Sequence, residues 1–227
     1  MQIETLADDA AVAQRAAAFI AERAAEAVRA RGVFTLAVSG GRTPWAMLRA
    51  LAALPLPWAQ LQLFQVDERV APDGDAVRNL TNIQASLLAH APLPAANLHA
   101  MPVTATDLDA AARAYAATLQ RVCGMPAVLD LVHLGLGADG HTASLVPGDA
   151  ALQVADADVT LAGPYQGHRR MTLSYPVLNR ARCVLWLATG AEKRAMVTRL
   201  RAGDATIPAG RVRADRAWLL GDAAALG

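Results

Sequence analysis

Residues 131–148 read Leu-Val-His-Leu-Gly-Leu-Gly-Ala-Asp-Gly-His-Thr-Ala-Ser-Leu-Val-Pro-Gly. The apolar run from Val128 to Leu136 stops at a glycine-rich turn, which is typical of a buried strand that ends in a loop. Asp139 and His141 follow in that loop, and we expect a short helical segment after them. Ligands of open α/β sheets bind just beyond the carboxyl ends of the strands. The stretch therefore predicts a carboxylate and an imidazole presented together where a ligand would lie.

Strand-like and helix-like segments alternate on both sides of this stretch. This order predicts an α/β fold with a mostly parallel sheet and helices on both faces. We find no internal repeat or linker, so we expect one domain over residues 1–227. The predicted strands are 33–38, 61–66, 128–134, 184–188 and 217–220, with weaker candidates at 159–162 and 171–174. The predicted helices are 6–30, 43–54 (Thr43 as N-cap before Pro44), 79–89, 107–121 and 190–200.

The composition excludes several classes of protein. The chain is 54% hydrophobic and 18% charged, and no apolar run reaches the roughly 18–20 residues of a membrane-spanning helix. Met1–Ala10 lacks the basic start of a secretory signal, and the two cysteines fit no zinc pattern. A net charge of +1 argues against a nucleic-acid surface but allows a local basic pocket. We therefore expect a cytoplasmic protein that binds no nucleic acid, membrane or metal.

The stretch Ser39-Gly40-Gly41-Arg42-Thr43-Pro44 joins a predicted strand to a predicted helix. Glycines let backbone N–H groups approach an anion closely, and a helix N-terminus favours negative charge. We therefore predict a phosphate cradle that includes Ser39, Gly40, Gly41 and Thr43. An ordinary tight turn remains the alternative, because the Gly-Lys-Ser/Thr of a Walker A loop is absent.

Two further charged segments are expected at the same edge of the sheet. Asp67-Glu68-Arg69 directly follows the strand 61–66, and Arg69 could bind a phosphate or carboxylate with two hydrogen bonds, although a surface cluster of ion pairs is an equally good interpretation. Arg170 stands just before a predicted strand and alternates with Thr172, so both can face one side, although Arg169 and Arg170 could equally be a solvated pair. Lys193, the single lysine among 21 basic residues, lies on the first turn of a predicted helix and could reach an anion there.

Asp139 and His141 carry the clearest indication of chemistry. Histidine is the side chain whose ordinary pKa suits general-base catalysis near neutral pH, and a neighbouring carboxylate can orient the ring. The alternative is a structural turn in which Asp139 caps the next helix. We favour a catalytic pair, because titratable pairs in such loops are typical of active sites.

Taken in order, these segments resemble the glucosamine-6-phosphate isomerase/6-phosphogluconolactonase family over nearly the whole chain. The segments that carry the resemblance are Ser39–Pro44, Asp67–Arg69 with Asn79, Gly135–Pro147, Arg170 to Asn179, and Thr189-Gly190 with Lys193. The resemblance implies a Rossmann-like fold and hydrolysis of 6-phospho-D-glucono-1,5-lactone in the pentose phosphate pathway, without a cofactor. Two residues depart from the family pattern: Arg78 replaces a serine, and Val146 replaces a phenylalanine.

On this interpretation His141 activates water, Arg69 or loop N–H groups stabilise the oxyanion, and Gly40, Gly41, Arg170 and Lys193 hold the phosphate. A glucosamine-6-phosphate deaminase is the main alternative, with Asp67 as one base. The deaminases carry a glutamate at the position of Val146, and we expect Asp149, the nearest acid beyond it, to point elsewhere. A non-catalytic sugar-phosphate sensor is the third possibility. The sequence leaves open whether the protein is a monomer or a small homo-oligomer.

Overall fold

The computed structural model describes residues 1–227 and contains two β-sheets. The strands are β1 (Gln2–Leu6), β2 (Phe34–Val38), β3 (Leu61–Gln65), β4 (Asp67–Arg69), β5 (Leu98–His99), β6 (Leu131–Gly135), β7 (Val159–Tyr165), β8 (His168–Leu173), β9 (Val184–Ala188) and β10 (Ala217–Asp222). The helices are α1 (Asp9–Arg31), α2 (Arg42–Ala52), α3 (Asn79–Ile83, extended by a π-helical turn over Gln84–Leu88), α4 (Leu108–Cys123), α5 (Tyr175–Arg180), α6 (Arg194–Arg201) and α7 (Ala223–Leu226). No helix is both long and apolar enough to cross a membrane.

The larger sheet has seven strands in the order β1-β10-β9-β6-β2-β3-β5, and every pairing in it is parallel. Its central strands are buried on both faces. In β9, Leu185 and Leu187 pack with α1 and α2, whereas Val184 and Trp186 pack with α4 and α6 on the other face. A strand covered on both faces needs a continuous apolar run, which explains why these segments were recognisable in the sequence. The predicted mostly parallel sheet with helices on both faces is confirmed.

The chain order reverses between β2 and β6. From β2 the chain proceeds outward through β3 to β5, then returns to place β6 on the other side of β2. The loops after two such strands diverge and leave a crevice between them, which is the usual ligand site of an open α/β sheet. The glycine loop that begins at Ser39 leaves β2, and the loop that carries Asp139 and His141 leaves β6. The topology therefore brings these two loops together.

The smaller sheet was not predicted. It is antiparallel, with the order β4-β8-β7, and Asp67-Glu68-Arg69 form the whole of β4. The weak strand candidates 159–162 and 171–174 belong to this sheet, and Arg170 lies within β8 rather than before it. Three consecutive charged residues carry no strand signal of their own. Their strand conformation depends on pairing with β8, about 100 residues later in the chain.

Several local predictions need correction. Leu6 ends β1, an edge strand, and α1 begins only at Asp9, with the Asp8 side chain accepting a hydrogen bond from the backbone N–H of Ala11 at 2.8 Å. No helix follows His141: Thr142 and Leu145 close a tight turn instead, and the next helical residues are the 3₁₀ turn Ala150–Gln153.

The N-cap of α2 was also misplaced. The N-cap is Gly41 rather than Thr43, so the helix begins at Arg42 and not at Pro44. Thr43 therefore lies inside the first turn, and its hydroxyl is 3.0 Å from that of Thr189. The structure thus uses Thr43 to join the loop after β2 to the loop after β9. By contrast, the predicted start of α4 at Asp107 is confirmed by the hydrogen bond from Ala110 N–H to its carboxylate at 2.9 Å.

Candidate active site

Asp139 and His141 form a close pair at the end of β6. His141 Nδ1 lies 2.5 Å from Asp139 Oδ1, and the same oxygen accepts the His141 backbone N–H at 3.1 Å. Burial alone would raise the pKa of Asp139, but these bonds, the charge of His141 and a hydrogen bond from Tyr165 lower it. The ionised carboxylate therefore holds the Nδ1–H tautomer of the ring. Nε2 makes no hydrogen bond within the protein, and the ring lines a cleft. Asp139 is thus placed to orient His141 and does not itself line the cleft.

The glycines of this loop allow the pair to form. A Cβ on Gly137 would lie 2.0 Å from His141 Nδ1 and 2.6 Å from Asp139 Oδ1, far inside van der Waals contact. Gly140 has a φ of +82°, and a Cβ there would lie 2.7 Å from Ile207 Cβ. Only glycine fits either position without displacing its neighbours.

The small antiparallel sheet contributes the cations. Arg69 and Arg170 are directly opposite each other in the β4–β8 pair, and Asp67 is opposite Thr172. Like charges placed opposite each other in a sheet are unfavourable, and a bound anion would offset the repulsion. The Nε atoms of Arg69 and Arg170 are buried and have no hydrogen-bond partner in the protein. The two side chains together are suited to bind a phosphate or a developing oxyanion.

Asp67 is buried beside these arginines. Its Oδ2 accepts a hydrogen bond from Ser144 Oγ at 2.7 Å and lies 3.9 Å from Arg170 Nη1, while its Oδ1 accepts one from Asn79 Nδ2 at 3.3 Å. These contacts restrain the carboxylate on several sides. Asp67 is therefore placed to hold Arg170, and its role as a base remains a prediction.

Glu68 points to the opposite face of β4 and is completely buried. Its carboxylate accepts the backbone N–H groups of Asn79 at 2.7 Å and Leu80 at 2.8 Å, which caps the N-terminus of α3. Arg78 Nε lies 3.1 Å from the same carboxylate. The interpretation of Asp67–Arg69 as a surface cluster of ion pairs is therefore wrong. The network fixes β4 against α3 and so fixes the backbone that carries Arg69.

The glycine loop after β2 forms the opposite wall of the cleft. The backbone N–H groups of Gly40 and Gly41 donate to no acceptor in the protein, and Ser39 Oγ is buried without a partner. Ser39 N–H donates to Nδ1 of His133 at 3.3 Å. Burial lowers the pKa of His133 to about 3, so its ring is a neutral acceptor. The prediction that His133 is a core residue with satisfied contacts is confirmed at Nδ1, whereas its Nε2 has no partner.

Most of the predicted site residues line one cleft of about 200 Å³. They are Ser39, Gly40, Asp67, Arg69, His141, Arg170 and Lys193. Gly41 and Thr43 line an adjoining pocket that shares Gly40 and Lys193 with the cleft. The structure thus brings all the predicted residues to one edge of the sheet, with Asp139 directly behind His141.

Comparison with known proteins identifies the family. A model of the family described as glucosamine-6-phosphate isomerases/6-phosphogluconolactonase matches residues 7–220. The chain belongs to this family. It is 37% identical over 233 residues to a 6-phosphogluconolactonase of a Nostoc species, covering 98% of this chain and 96% of the relative.

Solved structures of the same family share the fold. A 6-phosphogluconolactonase from Thermotoga maritima matches with a TM-score of 0.85 at 27% identity, over 97% of this chain and 98% of the other. A monomeric glucosamine-6-phosphate deaminase matches with a TM-score of 0.83 at 20% identity, over 99% and 98% of the two chains. The second likeness is one of fold alone. It places the chain on a scaffold that carries more than one activity, so the side chains of the site decide the chemistry.

Sequence reasoning about the family motifs missed two contacts in this site. Tyr165 Oη donates to Asp139 Oδ2 at 3.1 Å, and Ser144 supplies the short hydrogen bond to Asp67. Ser144 lies within the family segment Gly135–Pro147, so its position in that motif could have indicated that it belongs to the site. Tyr165 follows Pro164 in a stretch that was assigned no role, and nothing local marks it as part of the site.

Proposed function

We propose that the protein is a 6-phosphogluconolactonase that hydrolyses 6-phospho-D-glucono-1,5-lactone to 6-phospho-D-gluconate. The observation that carries this proposal is the Asp139–His141 pair. Nε2 of His141 makes no hydrogen bond in the protein, and the imidazole lines a cleft whose walls contain cations and unpaired backbone N–H groups. The activities for which the relatives in the family are named support the same reaction class.

His141 acts as the general base in this reaction. With Nδ1–H bonded to Asp139, Nε2 carries the lone pair and takes a proton from a water molecule as its oxygen attacks the lactone carbonyl. The resulting tetrahedral intermediate collapses with cleavage of the bond between C1 and the ring oxygen. The imidazolium of His141 then returns the proton to that oxygen, which leaves the open-chain acid and a neutral ring. Asp139 stabilises the imidazolium between the two proton transfers.

The cations and the glycine loop bind the charged phosphate of the substrate and stabilise the negative charge that develops at its carbonyl during the reaction. Gly40, Gly41, Arg170 and Lys193 hold the phosphate, and Arg69 stabilises the oxyanion that develops at C1. Preorganised donors of this kind contribute roughly 3–4 kcal/mol each to transition-state stabilisation in other enzymes. Because the acidic and basic groups of His141 and Asp139 suffice for the proton transfers, no metal or organic cofactor enters the mechanism.

The acidic residues near the cleft favour hydrolysis over deamination, because Asp67 is the one acid that lines it and its carboxylate is held by Ser144 and Arg170. Amine release from an amino sugar phosphate needs ring opening and proton transfer at two carbons, which calls for a further acid near His141. Val146 cannot transfer a proton. Asp149, as predicted, is turned away: its two oxygens accept the backbone N–H groups of Ala151 and Gly163, each at 2.8 Å. The lactonase is therefore the better candidate.

The test is a turnover assay of His141→Ala on lactone made in situ by a dehydrogenase, with the spontaneous hydrolysis subtracted. We expect kcat to fall by roughly 10²–10⁴ with little change in KM. His90→Ala is the matched control, because His90 is exposed and bonds Arg49 outside the cleft. Wild-type activity in His141→Ala would refute the role of His141. Ammonia release from glucosamine 6-phosphate by the wild type at roughly 1–10³ s⁻¹ would show that the protein is a deaminase.

The proposed substrate is a small phosphosugar lactone, and the enzyme needs no nucleic acid or membrane to bind it. A cytoplasmic location and a monomeric or small homo-oligomeric state stay predictions. Fractionation of cells and light scattering on the purified protein measure these two properties.

A further inference from the structure

The hairpin of β7 and β8 contains a β-bulge beside the cleft. The two strands pair regularly up to Ala162 opposite Arg170, but Tyr165 is then opposite His168, so β7 holds one extra residue. Without the extra residue, Tyr165 would be opposite Gly167 and would face away from Arg170. Residues directly opposite each other share a face of the sheet, and so do residues two apart in one strand, such as His168 and Arg170. The bulge therefore turns Tyr165 to the face of Arg170.

A hydrogen bond from outside the hairpin and the hairpin's own tight turn hold the backbone on the two sides of Tyr165. Asp149 Oδ2 accepts the backbone N–H of Gly163 at 2.8 Å, and a Cβ on Gly163 would lie 2.9 Å from that oxygen. The hairpin turn that follows has Gln166 and Gly167 at positive φ, +52° and +82°. Two such residues in succession match the twist of a tight hairpin. The backbone that presents Tyr165 is therefore held at both ends.

Tyr165 contacts both the catalytic pair and the phosphate-binding cation. Its hydroxyl donates to Asp139 Oδ2 at 3.1 Å and lies 3.4 Å from His141 Nδ1. Its ring packs edge-on against the imidazole, with centroids 5.1 Å apart. The guanidinium of Arg170 lies over the ring at 5.1 Å from its centroid and donates to the Tyr165 backbone oxygen at 3.2 Å.

We propose that Tyr165 is a positioning residue with two separable roles in the reaction proposed above. The first role belongs to its hydroxyl. Asp139 is substantially exposed, and a carboxylate held at one oxygen can rotate. With His141 on Oδ1 and Tyr165 on Oδ2, the plane of the carboxylate is fixed, and so is the direction of the His141 ring. Desolvation and the charge of Asp139 raise the pKa of Tyr165, so the hydroxyl remains a donor at neutral pH.

The second role belongs to the ring and the backbone oxygen of Tyr165. They hold the buried guanidinium of Arg170 by a cation–π contact and a hydrogen bond. One residue thereby sets the spacing between the base and the phosphate-binding cation. The inference rests on the proposed lactonase reaction for its kinetic consequences, but not for the contact between Tyr165 and the catalytic pair.

Two substitutions separate the two roles. Tyr165→Phe removes the hydroxyl and keeps the ring, so we expect kcat to fall about tenfold while KM stays within twofold, as the loss of one hydrogen bond to a charged group implies. Tyr165→Leu removes the ring as well, so KM for the lactone should also rise severalfold. Tyr175→Phe is the matched control: it loses a hydroxyl that bonds the Pro208 carbonyl at 2.9 Å. Thermal melts of all three variants show whether each is folded.

A measurement without turnover keeps this proposal distinct from the assignment of the reaction. The Nδ1 proton of His141, bonded to a carboxylate, should give a low-field NMR signal that is missing in His141→Ala. In Tyr165→Phe we expect this signal to shift and to exchange faster with water, and in Tyr175→Phe to remain unchanged.

An unchanged signal and a kcat within twofold of wild type in Tyr165→Phe would overturn the proposal. A folded wild type that hydrolyses no lactone would refute the proposed function, yet a signal that changes in Tyr165→Phe alone would still establish the positioning contact.

Discussion

Replacing Gly137 by alanine should inactivate the enzyme without unfolding it. The added Cβ would lie 2.0 Å from His141 Nδ1 and 2.3 Å from Cε1, whereas ordinary contact begins at 3.4 Å. The imidazole must therefore move by roughly 1.4 Å. The carboxylate cannot compensate by following the ring, because the same Cβ would lie 2.6 Å from Asp139 Oδ1. The 2.5 Å hydrogen bond between His141 and Asp139 would then be broken.

The expected size of the effect follows from this displacement. A misplacement of about 1 Å in a catalytic group costs about 10²-fold in rate, and losing a hydrogen bond to a charged partner costs roughly 1.5–3 kcal/mol. We therefore expect kcat to fall about 100-fold, equivalent to about 2.7 kcal/mol of activation free energy. KM should change little, since the phosphate-binding groups lie on other loops and on β8. Stability should change little as well, because the His141 side chain is partly exposed and can give way.

The assay is steady-state hydrolysis of freshly generated lactone, accompanied by a thermal melt. Gly135→Ala is a suitable comparison, because Gly135 also lines the cleft but a Cβ there meets no atom within 4 Å and so leaves the Asp139–His141 pair in place. This variant should keep its kcat within a fewfold of wild type. If Gly137→Ala retained wild-type kcat, the Asp139–His141 contact would not be what makes His141 a base. Equal losses in both variants would mean that any methyl group here blocks the cleft.

Three further predictions concern the phosphate, the buried histidine and metal ions. Arg170→Ala and Lys193→Ala should each raise KM roughly tenfold or more with a smaller loss of kcat, because each removes a charge-assisted hydrogen bond to the phosphate; an unchanged KM in both would refute the phosphate site. His133 has a pKa of about 3 in the folded protein against 6.5 for an ordinary histidine, so the unfolded chain takes up its proton first and stability falls by about 1.4 kcal/mol per pH unit as the pH drops from 6.5 toward 3. Urea titrations across this range should show a shallower dependence for His133→Gln, and an identical slope would contradict the burial argument. Full activity should survive exhaustive chelation, and rescue of a chelated, inactive enzyme by one specific ion would count against cofactor-free hydrolysis.

The central strands were predictable because burial on both faces imposes a continuous apolar run. Phe34–Val38 and Val184–Ala188 are nearly continuous apolar runs, whereas Leu61–Gln65 contains two glutamines among its apolar residues. The predicted bounds of all three strands agree with the structure to within a residue or two. The sequence does not reveal the edge strand Gln2–Leu6, because it has only five residues, of which only Ile3 and Leu6 are apolar, and none of them is buried. Its conformation is stabilised by pairing with β10 at the far end of the chain. Local sequence carries little record of such a partner.

The loops that bear the chemistry were also recognisable. A glycine-rich stretch after an apolar run places polar groups at the carboxyl edge of a parallel sheet, so Gly40 and His141 could be assigned to one site before their distance was known. Gly137 is itself a sign that a side chain approaches the backbone closely, because only glycine leaves room there for the His141 imidazole. This part of the argument depends only on short-range geometry, which the sequence encodes directly.

Sequence alone thus determined the parallel sheet, the residues at its carboxyl edge and the family to which those residues belong. Only the tertiary structure decided how the charges are arranged. Arg69 stands opposite Arg170 because a strand of three charged residues pairs with one about 100 residues away, and Tyr165 reaches Asp139 because a bulge changes the face on which it lies. Both outcomes depend on strand register. Register is set by long-range pairing and by a single extra residue, neither of which leaves a periodic pattern in the sequence.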